Sequence, residues 1–228
     1  MRGKNFFVAI EGADAAGKAT QTKLLADVLG ARAFSSPDYS TSTGQLLHRH
    51  LHGEWEVADR VPPSDTAEQC HGCHQSMRPM PRENMLVRQS LMIANRLEQQ
   101  DAIVKALDIG PVVVDRWHMS SVIYGEAEGA PVPPLLTTLH PDLYILLDTD
   151  YETAIARRPP RDLNERDEAK QRKVMRGYRH YWHRMSVQAR RIKIDEPWWA
   201  VIDGRRTVEQ VHRDIGGVVQ GARLHFGK

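Results

Sequence analysis

The chain has 228 residues, 41% of them hydrophobic and 26% charged, which is enough to bury one sizeable α/β core. A formal net charge of +2 and a pI near 8.6 are too mild to indicate nucleic-acid binding, and two neighbouring cysteines cannot build a disulfide framework. No apolar run approaches a membrane span, and a first strand within a few residues of Met1 leads us to expect a cytoplasmic protein without a signal peptide.

The first element in chain order is the apolar run Phe6-Phe7-Val8-Ala9-Ile10, which ends at Glu11-Gly12. Four residues later Gly17-Lys18 opens a helical segment carrying Leu24, Leu25, Val28 and Leu29. A strand, a Gly-x4-Gly-Lys loop and a helix in this order make a P-loop. Glycines let the backbone wrap a phosphate, the amides and helix N-terminus face its charge, and Lys18 adds a mobile cation. Gly12, Ala13, Ala15, Ala16, Gly17, Lys18, Ala19 and Thr20 are therefore expected to bind ATP. Ala19 stands where a Ser or Thr hydroxyl normally reaches Mg2+.

Further strands are expected near 31–35, at 111–115, at 143–148 and at 199–203. Strands alternating with helices favour the α/β P-loop NTPase fold, a five-stranded parallel sheet flanked by helices on both faces. A helix from about 83 to 107 would point Leu86, Ile93, Leu97, Val104 and Leu107 at the core, with Gln89, Met92 and Arg96 together on a neighbouring face. A second long helix, about 165–190, would bury Val174, Tyr178, Tyr181, Met185 and Ala189. Before it lies an arginine-rich lid, about 157–168, holding Arg157, Arg158 and Arg161 with Pro159 and Pro160. The segment 55–82, with Pro62-Pro63 and Cys70-His71-Gly72-Cys73-His74, is long and weakly periodic for a loop inside one domain spanning 1–228.

Asp14 inside the P-loop, Asp115-Arg116 at a strand end and the lid arginines are the inventory that phosphoryl transfer needs, since positioning and charge neutralisation supply most of its catalysis. In order and spacing the chain resembles the thymidylate kinases. The resemblance covers nearly the whole sequence and rests on Glu11 to Gln21, Ser36-Pro37-Asp38-Tyr39 with Gly44, and Leu51 to Glu54. It continues through Leu91 to Arg96, Asp115 to Tyr124, Pro141-Asp142-Leu143, Arg157 to Tyr178 and Val201-Ile202-Asp203. It implies a phosphotransferase acting on ATP and dTMP with Mg2+, homodimeric through its helices, and binding neither nucleic acid nor membrane.

Carried over residue by residue, the resemblance implies catalytic roles for Lys18, Asp14, Arg116, Arg158 and Arg161. Arg157 would stack near adenine. Arg96 would bond the pyrimidine edge, Tyr124 would pack on the deoxyribose, and Pro37 and Tyr39 would shape the acceptor pocket. Met92 and Ser121 stand at the base-contacting positions, and Trp117 follows Asp-Arg, where the family usually has a phenylalanine, an asparagine, glutamine or smaller residue, and a tyrosine or histidine respectively. Asp14 and Asp115 are the carboxylates available to Mg2+.

Other readings of the same residues stay open. Asp115-Arg116 could be a structural ion pair, Arg96 the solvated side of a helix, the lid arginines a solvated charge run, and Tyr124 a core residue. Cys70 and Cys73 form half of a zinc spacing, set against a plain insertion covering the cleft. For function, the alternatives are a kinase of dUMP or 5-substituted dUMP, a deoxynucleoside kinase using Asp38 as base, and a non-catalytic nucleotide- or zinc-sensing module.

Overall fold

The computed structural model of the chain describes residues 4–51, 85–129, 139–160, 163–191 and 198–228. The segment 55–82 with Cys70 and Cys73, and Arg161 of the lid, lie outside the described residues. Strands β1 (Phe7–Glu11), β2 (Arg32–Ser35), β3 (Val112–Asp115), β4 (Leu143–Asp148) and β5 (Trp198–Asp203) form one sheet in the order β2-β3-β1-β4-β5. Every neighbouring pair is parallel, and Val8 at the centre lies opposite Val113 on one side and Leu143 on the other. Residues 7–11, 112–114 and 143–147 are buried without interruption, as strands covered on both faces must be.

The helices are α1 (Lys18–Leu29), α2 (Ser42–Leu51), α3 (Met85–Ile109), α4 (His118–Glu128), α5 (Tyr151–Arg157), α6 (Leu163–Arg166), α7 (Glu168–Arg191) and α8 (Val208–Phe226). Side chains alternate across β1 with the period of two that a strand imposes. Phe7 and Ala9 pack with Ile103, Leu107, Val174 and Tyr178 of α3 and α7. Val8 and Ile10 face the other way, onto Leu25 of α1 and Ile215 and Val219 of α8. Helix α8 starts at a capping box that is plain in the sequence: Thr207 Oγ1 accepts the Gln210 N–H at 3.3 Å, and Gln210 Oε1 accepts the Thr207 N–H at 3.2 Å. Such a cap stabilises a helix start by about 1 kcal/mol.

The structure revises two helices. On α3 only Leu107 of the supposed core stripe is buried; Ile93 is half-buried, and Leu86, Leu97 and Val104 are 53%, 39% and 43% exposed. The rest of its buried side includes Gln89, Asn95, Arg96, Gln99 and Ile103. Periodicity finds a helix and its faces, but not which face another element covers. The lid helix divides at Asp167, whose carboxylate accepts the Lys170 N–H at 2.9 Å and caps α7. Val174 and Tyr178 are buried as expected, whereas Tyr181 and Met185 are half-buried.

Trp117 is a core residue. It lies edge-on against Phe7 at 5.8 Å, and its indole N–H donates to the Leu139 carbonyl at 3.2 Å.

Candidate active site

The loops that follow β1, β2 and β3 gather at the carboxyl edge of the sheet, where ligands bind in open α/β folds. The P-loop between β1 and α1 begins at Gly12 with φ 150°, where an added Cβ would sit 2.8 Å from the Leu147 carbonyl oxygen of β4. Only glycine fits that approach. Ala15 at φ 57° and Gly17 at φ 92° are also left-handed, and the alanine costs about 1 kcal/mol of strain. This curvature bends the loop around a cleft of about 570 Å³ at the start of α1. Residues 14–20 line one side of it, including exposed Ala19 and Thr20; Arg157, Gly204, Arg206 and Val208 line the other.

Lys18 is buried, and its ammonium donates to the Ala13 carbonyl at 2.6 Å. Burial and the neighbouring Arg116 cation lower its pKa to about 8. Across the cleft, Arg157 donates to the Gly204 carbonyl and, at 3.3 Å, to that of Arg206. Arg158 makes a two-pronged pair with Glu165 of α6, at 2.5 and 2.7 Å. The lid arginine that the sequence aimed at phosphate is thus held by a carboxylate of the lid itself.

Asp14 and Arg116 join this cleft to a second, narrower cavity of about 120 Å³. Arg116, at φ 66°, is ion-paired with Asp14 and donates to the Gly12 carbonyl at 2.9 Å and to Ser120 Oγ at 3.3 Å. The other oxygen of Asp14 accepts from the Tyr124 hydroxyl at 2.7 Å and from Gln171 at 3.2 Å. Burial alone would raise the Asp14 pKa, but Arg116 and Lys18 outweigh it and bring the carboxyl down to about 2. Both Asp14 oxygens are therefore engaged, whereas Oδ1 of Asp115, on the wall of the wider cleft, is buried with no partner among the described residues.

Behind this junction, Glu11 accepts from the Trp117 N–H at 2.8 Å, Ser120 Oγ at 2.7 Å and the Tyr178 hydroxyl at 3.1 Å. A fully buried carboxylate with three donors anchors the start of α4 to β1 and α7. Glu11, Ser120 and Gln171 are neighbours of the site that have no role in the sequence pattern, and Tyr178 is expected from it only as a buried residue of the second long helix. They lie 109 to 167 positions apart from Glu11 or 157 from Asp14, so no local pattern signals their meeting.

The narrow cavity runs from Arg116 along the buried face of α3. Arg96 is 2% exposed there, and its Nε and Nη1 have no partner among the described residues. Burial lowers its pKa to about 10, which leaves it a cation at neutral pH. Ser121 Oγ and Gln89 Oε1 are likewise buried and without partners among the described residues, and Met92 lies between Gln89 and Arg96 along the helix. Pro37 and Tyr39 close the opposite wall. Asn95 fixes that wall by accepting the Asp38 N–H at 2.8 Å and donating to the Asp38 carbonyl at 3.1 Å. The Asp38 carboxylate turns away to Ser40, at 2.6 Å from its hydroxyl, and does not line the cavity. A deoxynucleoside kinase using Asp38 as base is not favoured by that geometry.

Of the residues expected to act together, Lys18, Asp14, Asp115, Arg116, Tyr124, Arg96, Met92, Ser121, Pro37 and Tyr39 border two connected cavities. A P-loop cradle opening past Asp14 and Arg116 onto a pocket where atoms of Arg96, Ser121 and Gln89 have no partner among the described residues defines a P-loop kinase of a small phosphorylated acceptor. A profile of the thymidylate kinases matches residues 45–215. A probable thymidylate kinase of Methanocaldococcus jannaschii is 27% identical over 222 residues, covering 95% of this chain and 96% of that one. The thymidylate kinase of Danio rerio is 26% identical over 219 residues, covering 91% and 86%. Among solved structures, a thymidylate kinase from Candida albicans superposes with a TM-score of 0.71 at 18% identity, covering 97% and 93%, and shows the common fold. A deoxyadenosine kinase from M. mycoides follows with a TM-score of 0.61 at 16% identity, covering 95% of this chain and all of that one. The chain belongs to the thymidylate kinase family, whose reaction is the phosphorylation of dTMP with ATP and Mg2+.

Among the described residues no group of three or more His, Cys, Asp or Glu side chains could hold a metal; the zinc expected at Cys70 and Cys73 lies outside them. No helix among them is long and apolar enough to cross a membrane.

Proposed function

We propose that ATP lies in the wide cleft and dTMP in the narrow pocket, with the γ-phosphoryl group passing between them beside Arg116. The observation that carries this reading is Arg96, a buried cation on the pocket lining whose Nε and Nη1 have no partner among the described residues. Leaving such a group unpaired costs about 1–3 kcal/mol or more, and a pyrimidine carbonyl removes that cost. Ser121 then reads the ring beside it, Met92 packs on its face, and Pro37 and Tyr39 bound it. Tyr124, held by Asp14, packs against the deoxyribose.

The acceptor's phosphate oxygen is already nucleophilic, so the chain needs no general base. Arg116 grips that phosphate, and Asp14 keeps Arg116 and Tyr124 in place. The P-loop amides and Lys18 hold the β- and γ-phosphates. Arg157 flanks the adenine, and Arg158 and Arg161 act from the lid, Arg158 after exchanging Glu165 for phosphate. When bound, Mg2+ neutralises charge on the phosphate oxygens. Asp115, whose Oδ1 has no partner among the described residues, fits it better than Asp14, and with alanine at 19 the hydroxyls left on the cleft lining include those of Thr20 and Ser36.

The outward stripe of Leu86, Leu97 and Val104 on α3 supports a homodimer through that helix, checked by sedimentation of the purified chain. We place the enzyme in the cytoplasm, with its nucleotide substrates. An acceptor panel of dTMP, dUMP, 5-hydroxymethyl-dUMP, dCMP, dGMP and thymidine with ATP tests the function. Highest kcat/KM on dTMP is expected; faster turnover of another acceptor would overturn the dTMP reading.

A further inference from the structure

Three charged side chains meet on the outer wall of the narrow pocket. Glu128 is ion-paired with Arg88 through one oxygen and with Lys170 through the other, and the three side chains are only 5%, 12% and 11% exposed. Two of them sit at the wrong end of their helices. Glu128 is the last residue of α4, where the macrodipole disfavours an anion. Lys170 lies in the first turn of α7, where it disfavours a cation. Desolvation adds to the expense of bringing the three charges together. A cluster that breaks the same local rule twice, on two elements, needs a compensating role.

Its neighbours indicate that role. Arg88 precedes Gln89 on the pocket face of α3, and Glu128 is one helical turn beyond Tyr124 on α4. Lys170 precedes Gln171, which with Tyr124 holds the outer oxygen of Asp14. The three-way pair thus fastens the elements that carry the base wall, the sugar wall and the Asp14 support.

We infer that Glu128 is a positioning residue for the acceptor: it clamps α3, α4 and α7 so that Tyr124 and Gln171 hold Asp14 and Arg116 against the incoming phosphate. This inference rests on reading the narrow pocket as the acceptor site.

The test compares wild type with Glu128→Gln, Lys170→Met, Lys170→Arg and the double variant Glu128→Gln/Lys170→Met. Wild type is first assayed on the acceptor panel, so a failure of the acceptor reading is seen before any variant is made. On the preferred acceptor, Glu128→Gln is expected to raise the acceptor KM about tenfold and lower kcat, with the ATP KM unchanged within about twofold, because none of the three clamp side chains borders the wide cleft. Lys170→Met should do the same more weakly, Lys170→Arg should recover most of that loss, and the double variant should be no worse than Glu128→Gln. Wild-type kinetics in Glu128→Gln, equal rises in both KM values, or losses that multiply in the double variant would each overturn the clamp. Lys170→Met leaves Glu128 paired with Arg88 and carries the same comparison alone should Glu128→Gln fail to fold.

Discussion

The wide cleft and the narrow pocket share Asp14, Ser36, Pro37, Tyr39 and Arg116, yet one is shaped mainly by a tightly curved loop and the other by side chains of two helices. The cleft of about 570 Å³ owes its shape to left-handed residues at 12, 15 and 17 and to the carbonyls and amides of neighbouring loops. The pocket of about 120 Å³ owes its character to Arg96, Ser121, Gln89 and Met92 on two different helices. A backbone cradle recognises phosphate whatever base is attached to it. A side-chain pocket recognises one ligand, because each unpartnered group inside it must be met by a complementary atom.

The strongest way to break the contrast is to remove the one cation among the described residues that both cavities share. Arg116→Ala is expected to lower kcat by about 10³ or more while ATP binding persists, because it strips charge stabilisation from the transferring phosphate. Isothermal titration of ATP beside steady-state rates measures this, and a fall of less than tenfold would place Arg116 in a structural ion pair.

Arg96→Ala separates the two cavities. The dTMP KM should rise about 10- to 100-fold, the value of one or two charged hydrogen bonds, with the ATP KM unchanged. An equal rise in both would mean that α3 serves the fold and not the base. Asp115→Asn acts on the donor side alone, raising the Mg2+ concentration for half-maximal rate several-fold, by about 1–2 kcal/mol, without changing the dTMP KM.

The smallest effect is on pH. Lys18 has its pKa lowered from 10.5 to about 8 in the folded protein, so kcat/KM for ATP should decline as pH rises through about 8. The sign for stability is opposite. Between about 8 and 10.5 the folded state holds fewer protons at Lys18 than the unfolded chain, so this group's contribution to stability rises with pH while activity falls. Asp14, at about 2, stays ionised throughout that range. A flat kcat/KM profile from pH 7 to 9 would show that Lys18 does not govern ATP capture.

Much of the fold could be read from the chain because its signals are local. The runs at 111–115, 143–148 and 199–203 lie within one residue of β3, β4 and β5, and each ends on an acid at the ligand edge. The Gly12 to Lys18 loop was legible for the same reason, since it needs glycine at one position and a lysine six residues on. The α3 stripe was right at Leu107, which is buried, and misjudged earlier in the helix. Leu86, Leu97 and Val104 look outward, and the supposedly secondary face of Gln89, Met92 and Arg96 looks inward. Apolar burial is the usual rule, and a ligand pocket is the place where a buried helix face becomes polar. Lid arginine 158 was legible as a cation, but its pairing with Glu165 depends on where a four-residue helix lands.

The sequence by itself determined the phosphate loop, the strand runs, the resemblance to one family and most of the residues that border the two cavities. Tertiary structure decided which charges meet: Asp14 with Arg116, Arg158 with Glu165, and Glu128 with Arg88 and Lys170. The physical reason is range. A loop conformation or a strand is set by residues within a few positions of one another. Asp14 with Arg116 and Glu128 with Arg88 and Lys170 join loops and helices 40 to 102 positions apart, and even Arg158 and Glu165, seven apart, meet only where the chain turns into α6.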